Sequence, residues 1–179
     1  MRCETAFEEL DKTRHDRESF DCGEIEINDF LKTKALRHMK AGISRTMVLP
    51  SGETNEKGKR SICAFYTVMP SAVERETFSV QEAKRLPKYP VPVFLIAQLA
   101  VDRKLRGGGL GKVTLIKALE YLWNVNTFMR AYAVVVDCLT EKAQPFYEKY
   151  GFRSLGRFRG HERMFIPMKT VEKLFKNPA

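Results

Sequence analysis

The chain has 179 residues, near the roughly 150-residue size of one domain and long enough to bury a sizeable core. Hydrophobic residues make up 44% and charged residues 30%, which excludes a disordered or fibrous chain. Lys plus Arg is 31 against 22 Asp plus Glu, a net charge of +9. That surplus suits an anionic partner (nucleic acid, a phosphorylated cofactor or an acidic protein) and equally suits a basic surface kept for solubility.

In chain order, MRCETAFEEL lacks the apolar h-region of a secretory signal. Phe20 to Gly42 reads as a helix: Phe30, Leu31, Leu36 and Met39 fall near 3.6-residue spacing, Gly42 is a C-terminal stop, and Lys32, Lys34, Arg37, His38 and Lys40 form the opposite face. Arg45 to Leu49 and Ile62 to Met69 read as strands, with Pro50 to Arg60 as a long, mobile hairpin loop between them. A short helix is expected from Ser79 to Leu86, then an extended Lys88-Tyr-Pro-Val-Pro92 connector. Val93 to Val101 is an apolar run of the kind found in a central strand. The longest apolar stretch, Val91 to Val101, contains Pro92 and Gln98 and falls far short of the roughly 18 residues of a membrane helix. A glycine cluster precedes a helix from Lys112 to about Asn124, whose expected buried side is Leu115, Ile116, Leu119, Leu122 and Trp123. Ala131 to Leu139 is another buried strand, Thr140 caps a short helix ending at Gly151, and 152–155 with 163–168 form the last hairpin. The order predicts an α/β chain with a mixed sheet. No repeat or linker divides it, so residues 1–179 are expected to form a single domain. Cys3, Cys22, Cys63 and Cys138 are scattered, with no CxxC and no His at ligand spacing; the expectation is reduced thiols in a cytoplasmic protein and no metal site.

A buried strand running into a glycine-rich turn and a helix suits a pyrophosphate: glycines let backbone N–H groups approach, and the helix N-terminus adds partial positive charge. Arg106-Gly-Gly-Gly-Leu-Gly-Lys112 fails the Walker A pattern, because Val113 follows Gly111-Lys112 and Arg106 stands five positions before Gly111. It fails the dinucleotide fingerprint, because Lys112 stands where the third glycine belongs. It does fit Arg-x-x-Gly-x-Gly at Arg106, Gly109 and Gly111, and so resembles the acetyl-CoA pyrophosphate signature of the GNAT acetyltransferases. Leu99-Ala-Val-Asp102 resembles that family's central strand. Thr140-Glu-Lys-Ala-Gln-Pro-Phe-Tyr-Glu-Lys-Tyr-Gly-Phe152 resembles its second signature, A-x-x-F-Y-x-x-x-G-F.

The resemblance implies a GNAT fold, a central mixed and mostly antiparallel sheet flanked by helices, with acetyl-CoA as co-substrate at splayed central strands. It implies cofactor contacts from Leu99, Ala100, Val101, Arg106, Gly107, Gly108, Gly109, Leu110, Gly111 and Lys112. It also implies Tyr147 as the general acid that protonates the departing thiolate. A backbone N–H near Leu99 to Val101 is the candidate donor to the oxyanion. Packing in the core is the other role open to Tyr147.

Phe20-Asp-Cys-Gly23, Ile27-Asn-Asp-Phe-Leu31, Ile43-Ser-Arg-Thr46, Pro90-Val-Pro92, Leu99 to Asp102 and Phe146-Tyr-Glu148 together resemble the TacT- and AtaT-like GNAT toxins across roughly residues 7–168. That resemblance implies acetylation of the α-amino group of aminoacyl-tRNA. It also implies a ribbon-helix-helix antitoxin partner, a homodimer, and operator DNA bound only through the antitoxin. The sequence departs from many relatives at Gln98, where they have Arg, at Lys112, where they have Arg, and near Lys117, where they often carry an acid. Lys112 keeps the charge without the bidentate fork.

Independently, three basic clusters suit RNA phosphates: Lys84, Arg85 and Lys88; Phe30 to Arg45, with Lys32 and Arg37; and Lys149 to Arg163. Each also reads as a solvated face. Two alternatives stay open: a GNAT enzyme acting on a small amine or a protein amine, and a nucleic-acid-binding regulator with a residual acyl-CoA pocket.

Overall fold

The computed structural model of the chain describes residues 2–176. They pack as two compact units, one running to Met69 and including Ala97–Ala118, the other comprising Pro70–Ile96 and the chain from Leu119. Strand neighbours run β1-β3-β4-β5-β6-β8-β7, with β2 beside β4. The pairings β1–β3, β3–β4, β6–β8 and β7–β8 are antiparallel, while β5–β6 and β2–β4 are parallel. The sheet is therefore mixed and mostly antiparallel, as the GNAT resemblance implies.

The first unit opens with β1 (Glu8–Glu9) and β2 (His15–Asp16). The expected helix starts later than Phe20 and is not uniform: α1 (Ile25–Asp29), a π turn (Phe30–Lys34), then α2 (Ala35–Lys40). The π turn inserts a residue and rotates the apolar face, so Ile27, Phe30, Leu31 and Ala35 are buried while Leu36 and Met39 are only half-buried. The Arg17 guanidinium donates to the carbonyls of Leu31 and Lys32, satisfying acceptors at the π turn. Gly42, at φ +72°, ends the segment as expected.

β3 (Arg45–Thr54) and β4 (Arg60–Val73) are much longer than the sequence suggests. The expected long loop is a short turn: Asn55 Oδ1 accepts the N–H groups of Lys57 and Lys59 at 2.9 and 3.0 Å, and Gly58 takes φ +70°. Pro50 and Gly52 argued for loop, yet they lie within β3. The ladder absorbs the missing N–H of Pro50 by shifting register on both sides of it. Phe20 packs edge-on against Phe65 with centroids 5.3 Å apart, and the buried hydroxyls of Thr46 and Thr67 bond across the strands at 2.8 Å.

In the second unit, Ser79 caps α3 (Val80–Ala83) by accepting the Glu82 N–H, so this helix is shorter than expected. β5 (Val91–Val101) begins in the second unit and its end, with the short 3-10 turn (Arg103–Leu105) and the first half of α4 (Leu110–Val125), belongs to the first. Of the residues expected on the buried side of α4, Leu115, Leu119 and Leu122 are buried, whereas Ile116 is exposed. β6 (Ala133–Cys138) pairs with β5 on one edge and β8 (His161–Pro167) on the other, and successive residues Ala133 to Val136, which point to opposite faces, are all buried. α5 spans Ala143–Glu148; its N-cap is Lys142 and no side chain caps it, so Thr140 contributes only its carbonyl, to the Ala143 N–H at 3.0 Å. β7 (Arg153–Phe158) joins β8 through Arg159-Gly160, both at positive φ (50° and 83°), a two-residue turn whose twist matches the strands. A final helix, α6 (Met168–Lys176), was not anticipated; it buries Met168 and Val171, and Phe175 stacks on Trp123 at 5.3 Å. No helix among the described residues is long and apolar enough to cross a membrane.

Candidate active site

The glycine loop leaves the end of β5 on a turn fixed from several directions. The Asp102 N–H donates to the Cys63 carbonyl at 2.9 Å. The buried Asp102 carboxylate accepts the N–H groups of Lys104 at 3.0 Å and Asp21 at 3.3 Å. Val101, Leu105 and Leu110 pack on buried Leu49, Cys63 and Ala64, which anchors both ends of the turn. Ala100 is buried, and Leu99 and Val101 are half-buried.

Gly107 and Gly109 sit at φ +86° and +78°, and a Cβ on either would meet no atom within 4 Å. Their need for glycine is thus conformational, and the space around them is open. The first backbone hydrogen bond of α4 runs from Val113 N–H to Gly109 O at 3.2 Å. The N–H groups of Leu110, Gly111 and Lys112 therefore lie ahead of the helix's own ladder. Gly107, Gly108, Gly109 and Lys112 are exposed, and the first turn carries no acid. Exposed N–H groups, a helix N-terminus and a lysine suit a diphosphate.

Arg106 departs from the simple expectation of a cofactor contact. Its guanidinium donates to the Cys22 carbonyl, and its Nη2 atom lies 3.5 Å from where a Cβ on Gly23 would stand. This contact is the end of a clasp that sequence reasoning missed. Asn28 accepts the Cys22 N–H and donates to Asp21 Oδ1, both at 2.9 Å. Asp21 Oδ1 also accepts the Gly23 N–H at 2.8 Å, and Oδ2 pairs with Arg103 Nε at 3.1 Å. The Asp21 carbonyl accepts the Arg103 N–H at 2.9 Å. The Gly23 N–H, then the Asn28 amide, hold the Asp21 carboxyl below its ordinary value. The legible signal was Asp-Cys-Gly followed by Asn five residues after Gly23, polar residues opening a helix.

In the second unit, Tyr147 lies on α5 and is 8% exposed. Its ring meets Phe146 at 5.1 Å and Phe152 at 5.4 Å. Gly151, at φ +88°, lets the chain turn so that the Phe152 N–H donates to the Tyr147 carbonyl at 3.2 Å. Burial, then the neighbouring Cys138, pushes the phenol well above its ordinary value; burial pushes the Cys138 thiol itself up to about 11. Both therefore hold their protons at neutral pH. Beside α5, a polar cleft of about 440 Å³ opens between the end of β6 and the β7–β8 turn.

The basic clusters are real surface features. Lys84, Arg85, Lys88 and Arg37 are exposed and Lys32 is half-exposed, while Lys34 is paired with Asp29 at 2.9 Å. In the third cluster, Arg163 is buried and bidentate to Asp137 at 2.6 and 2.7 Å, which removes it from any RNA role. Among the described residues no group of three His, Cys, Asp or Glu side chains is placed to hold a metal ion.

Residues 77–152 match the acetyltransferase (GNAT) family. The chain is 31% identical over 134 residues to a tRNA-acetylating toxin of Mycobacterium tuberculosis, covering 75% of this chain and 76% of that one. Among solved structures, AtaT complexed with acetyl-methionyl-tRNAfMet is 29% identical, with a TM-score of 0.82 over 96% of this chain and 99% of that one. A tyrosine-to-phenylalanine mutant of AtaT bound to the C-terminus of the antitoxin AtaR and acetyl-CoA is 27% identical, with a TM-score of 0.79 over 96% and 98% of the two chains. The chain belongs to the GNAT family of acetyltransferases. Within it, the chain stands with the AtaT-like toxins.

Proposed function

We propose that the protein transfers acetyl from acetyl-CoA to the α-amino group of aminoacyl-tRNA, blocks translation by doing so, and is neutralised by an antitoxin. The observation that carries this reading is the presence of two devices, each within its own unit: a glycine turn that exposes backbone N–H groups ahead of a helix, and a buried phenol that keeps its proton. The open space at Gly107 and Gly109 fits a diphosphate lying against the backbone. When bound, acetyl-CoA supplies the acetyl group on a thioester sulfur.

Gly107 to Lys112 would hold the diphosphate through backbone N–H groups and the Lys112 charge, and Leu99 to Val101 would supply backbone groups to the rest of the cofactor. Arg106 holds the loop to Cys22 and has further N–H donors to offer. Tyr147 gives its phenolic proton to the departing sulfur and regains one from solvent. Gln98 Oε1 is buried and has no hydrogen-bond partner among the described residues, so an incoming N–H would satisfy it. The acceptor amine needs little help to lose its own proton: a free α-amine titrates near about 7.7–8.0, against about 10.4 for lysine. Lys84, Arg85, Lys88, Lys32 and Arg37 hold tRNA phosphates, contacts that position without reading sequence. A ribbon-helix-helix antitoxin, a homodimer, operator contact through the antitoxin alone and a cytoplasmic location complete the reading. It is supported by the tRNA-acetylating activity of the mycobacterial relative and by the tRNA and antitoxin complexes of AtaT.

The test is incubation of the purified protein with labelled acetyl-CoA and total charged tRNA, with deacylated tRNA as control. Label is expected on charged tRNA and not on deacylated tRNA, and mass spectrometry of the adducts names the amino acid. Label on free amines or protein, with none on charged tRNA, would replace this reading with a small-amine or protein acetyltransferase.

A further inference from the structure

The turn after α4 exposes two large apolar side chains: Phe128 is 93% exposed and Met129 68%. They are not on a loose loop. The N–H groups of Phe128 and Met129 both donate to the Val125 carbonyl at 3.0 Å, and Thr127 bonds Asn124 through its N–H at 3.1 Å and its hydroxyl at 2.7 Å. Buried Asn126 accepts the Ala131 N–H at 2.9 Å and closes the turn from below. A fixed turn that holds an aromatic ring in water is costly unless something covers that ring.

Beside it opens a cavity of about 540 Å³, lined by cations from three separate stretches: Arg85 after α3, Arg130 in this turn and Lys169 at the start of α6. None of the three makes an ion pair or side-chain hydrogen bond among the described residues. The two acids on the cavity wall are each held elsewhere. Glu82 is bound by Ser79 and by Arg153, both at 2.8 Å, and Glu172 is bound by Lys176 on the next turn of α6. Glu172, held below its ordinary value first by Lys176, also feels the charges of Arg130 and Lys169, so the cavity sets three cations against two acids and presents a net positive charge next to an exposed ring.

We propose that this surface is an RNA contact: Arg85, Arg130 and Lys169 clamp a backbone phosphate in the cavity, and an unpaired base stacks on Phe128 with Met129 against its edge. Cations track phosphates while an aromatic face takes any base, which is how proteins hold single-stranded segments without reading sequence. A second copy of this chain fits less well, since a two-fold contact centred on this cavity would set these cations against their own copies. The inference rests on the proposed tRNA substrate and adds a contact outside the acyl-transfer site. Of the expected cluster Lys84, Arg85 and Lys88, it singles out Arg85.

Phe128→Ala and the double variant Arg130→Gln/Lys169→Gln test it through binding of charged and deacylated tRNA across a salt series. Phe128→Ala is expected to weaken tRNA binding by about 5- to 20-fold at every salt concentration. The double variant is expected to make the slope of log affinity against log salt shallower by about 1.5. Acetyl-CoA binding and acetylation of a free amine stay unchanged in both. Unaltered tRNA affinity in both variants overturns the inference while leaving the substrate assignment intact. Loss of binding to an acidic antitoxin peptide, or a changed oligomeric state, with tRNA affinity unaltered, overturns it in favour of a protein partner. Failure of the wild type itself to bind or acetylate tRNA is the separate failure of the substrate assignment.

Discussion

Residues 107–109 and Lys112 are exposed and are held in shape from outside by hydrogen bonds, whereas Tyr147 is buried and is held by aromatic rings. The loop must leave N–H groups unpaired for a ligand, so nothing can pack over it. Its order comes from the Asp21, Asn28 and Asp102 clasp behind it. In the proposed reaction the phenol keeps a proton until a thiolate leaves. Its order comes from Phe146 and Phe152, and the same burial raises its pKa. The difference teaches that a binding element and an acid want opposite environments, polar scaffolding for one and apolar scaffolding for the other.

Removing the acid is the sharpest way to break this division. Tyr147→Phe keeps the ring contacts and is expected to lower kcat about 10²–10³-fold, with KM for acetyl-CoA within about twofold of wild type. The pH profile sharpens it further. With the phenol pushed up by burial, the acid form persists past the ordinary tyrosine range. The wild-type kcat should therefore show no descending limb up to about pH 10. A limb well below that pH assigns the proton to another group.

Breaking the loop should show in KM rather than kcat. Gly109→Ala places a Cβ in open space at φ +78°, so only the conformation is penalised. At roughly 1–2 kcal/mol for a left-handed residue, KM for acetyl-CoA should rise about tenfold with kcat little changed. Asn28→Ala deletes the amide that ties Cys22 to Asp21 and should raise the same KM by a smaller factor, about threefold to fivefold. Steady-state kinetics against a free amine measure both without RNA. An equal fall in kcat for Asn28→Ala would mean that the clasp reaches beyond cofactor binding.

The two regions were unequally legible in the sequence. Arg-x-x-Gly-x-Gly and Phe-Tyr are local patterns, and the structure gives the first its turn and helix start and sets Tyr147 on the short helix expected of the second. The long-range half of the clasp was not legible, because Asp21 meets Asp102 and Arg103 about eighty positions away and each partner alone is an ordinary polar residue. Pro50 and Gly52 misled for a related reason: loop propensity lost to a long ladder that tolerates a register shift. The helix break at Phe30–Lys34 was hidden because a one-residue insertion leaves the composition of a helix unchanged. α6 was legible in the 3.6-residue spacing of Met168, Val171, Leu174 and Phe175.

The smallest expected effect separates the polar scaffolding that titrates from the part that serves the loop. Buried His15 accepts the Asp11 N–H on Nδ1 at 2.9 Å, which leaves Nε2 to donate to Glu8 at 2.6 Å. Burial lowers its pKa from 6.5, and this outweighs the opposing pull of Glu8. The folded state thus binds the proton less well than the unfolded chain. His15 contributes stability that is present above about pH 6.5 and is lost as pH falls through its folded value. Tm should decline shallowly between about pH 6.5 and 5, before carboxylates begin to protonate, and His15→Gln should flatten that decline. A Tm that rises over the same interval would mean that the Glu8 charge, not burial, governs the site. KM for acetyl-CoA should stay level throughout, because the Asp21 carboxyl is held below its ordinary value and the clasp remains ionised. A KM that follows the Tm would instead tie the His15 cluster to the loop, and the first unit's polar network would be one device rather than two.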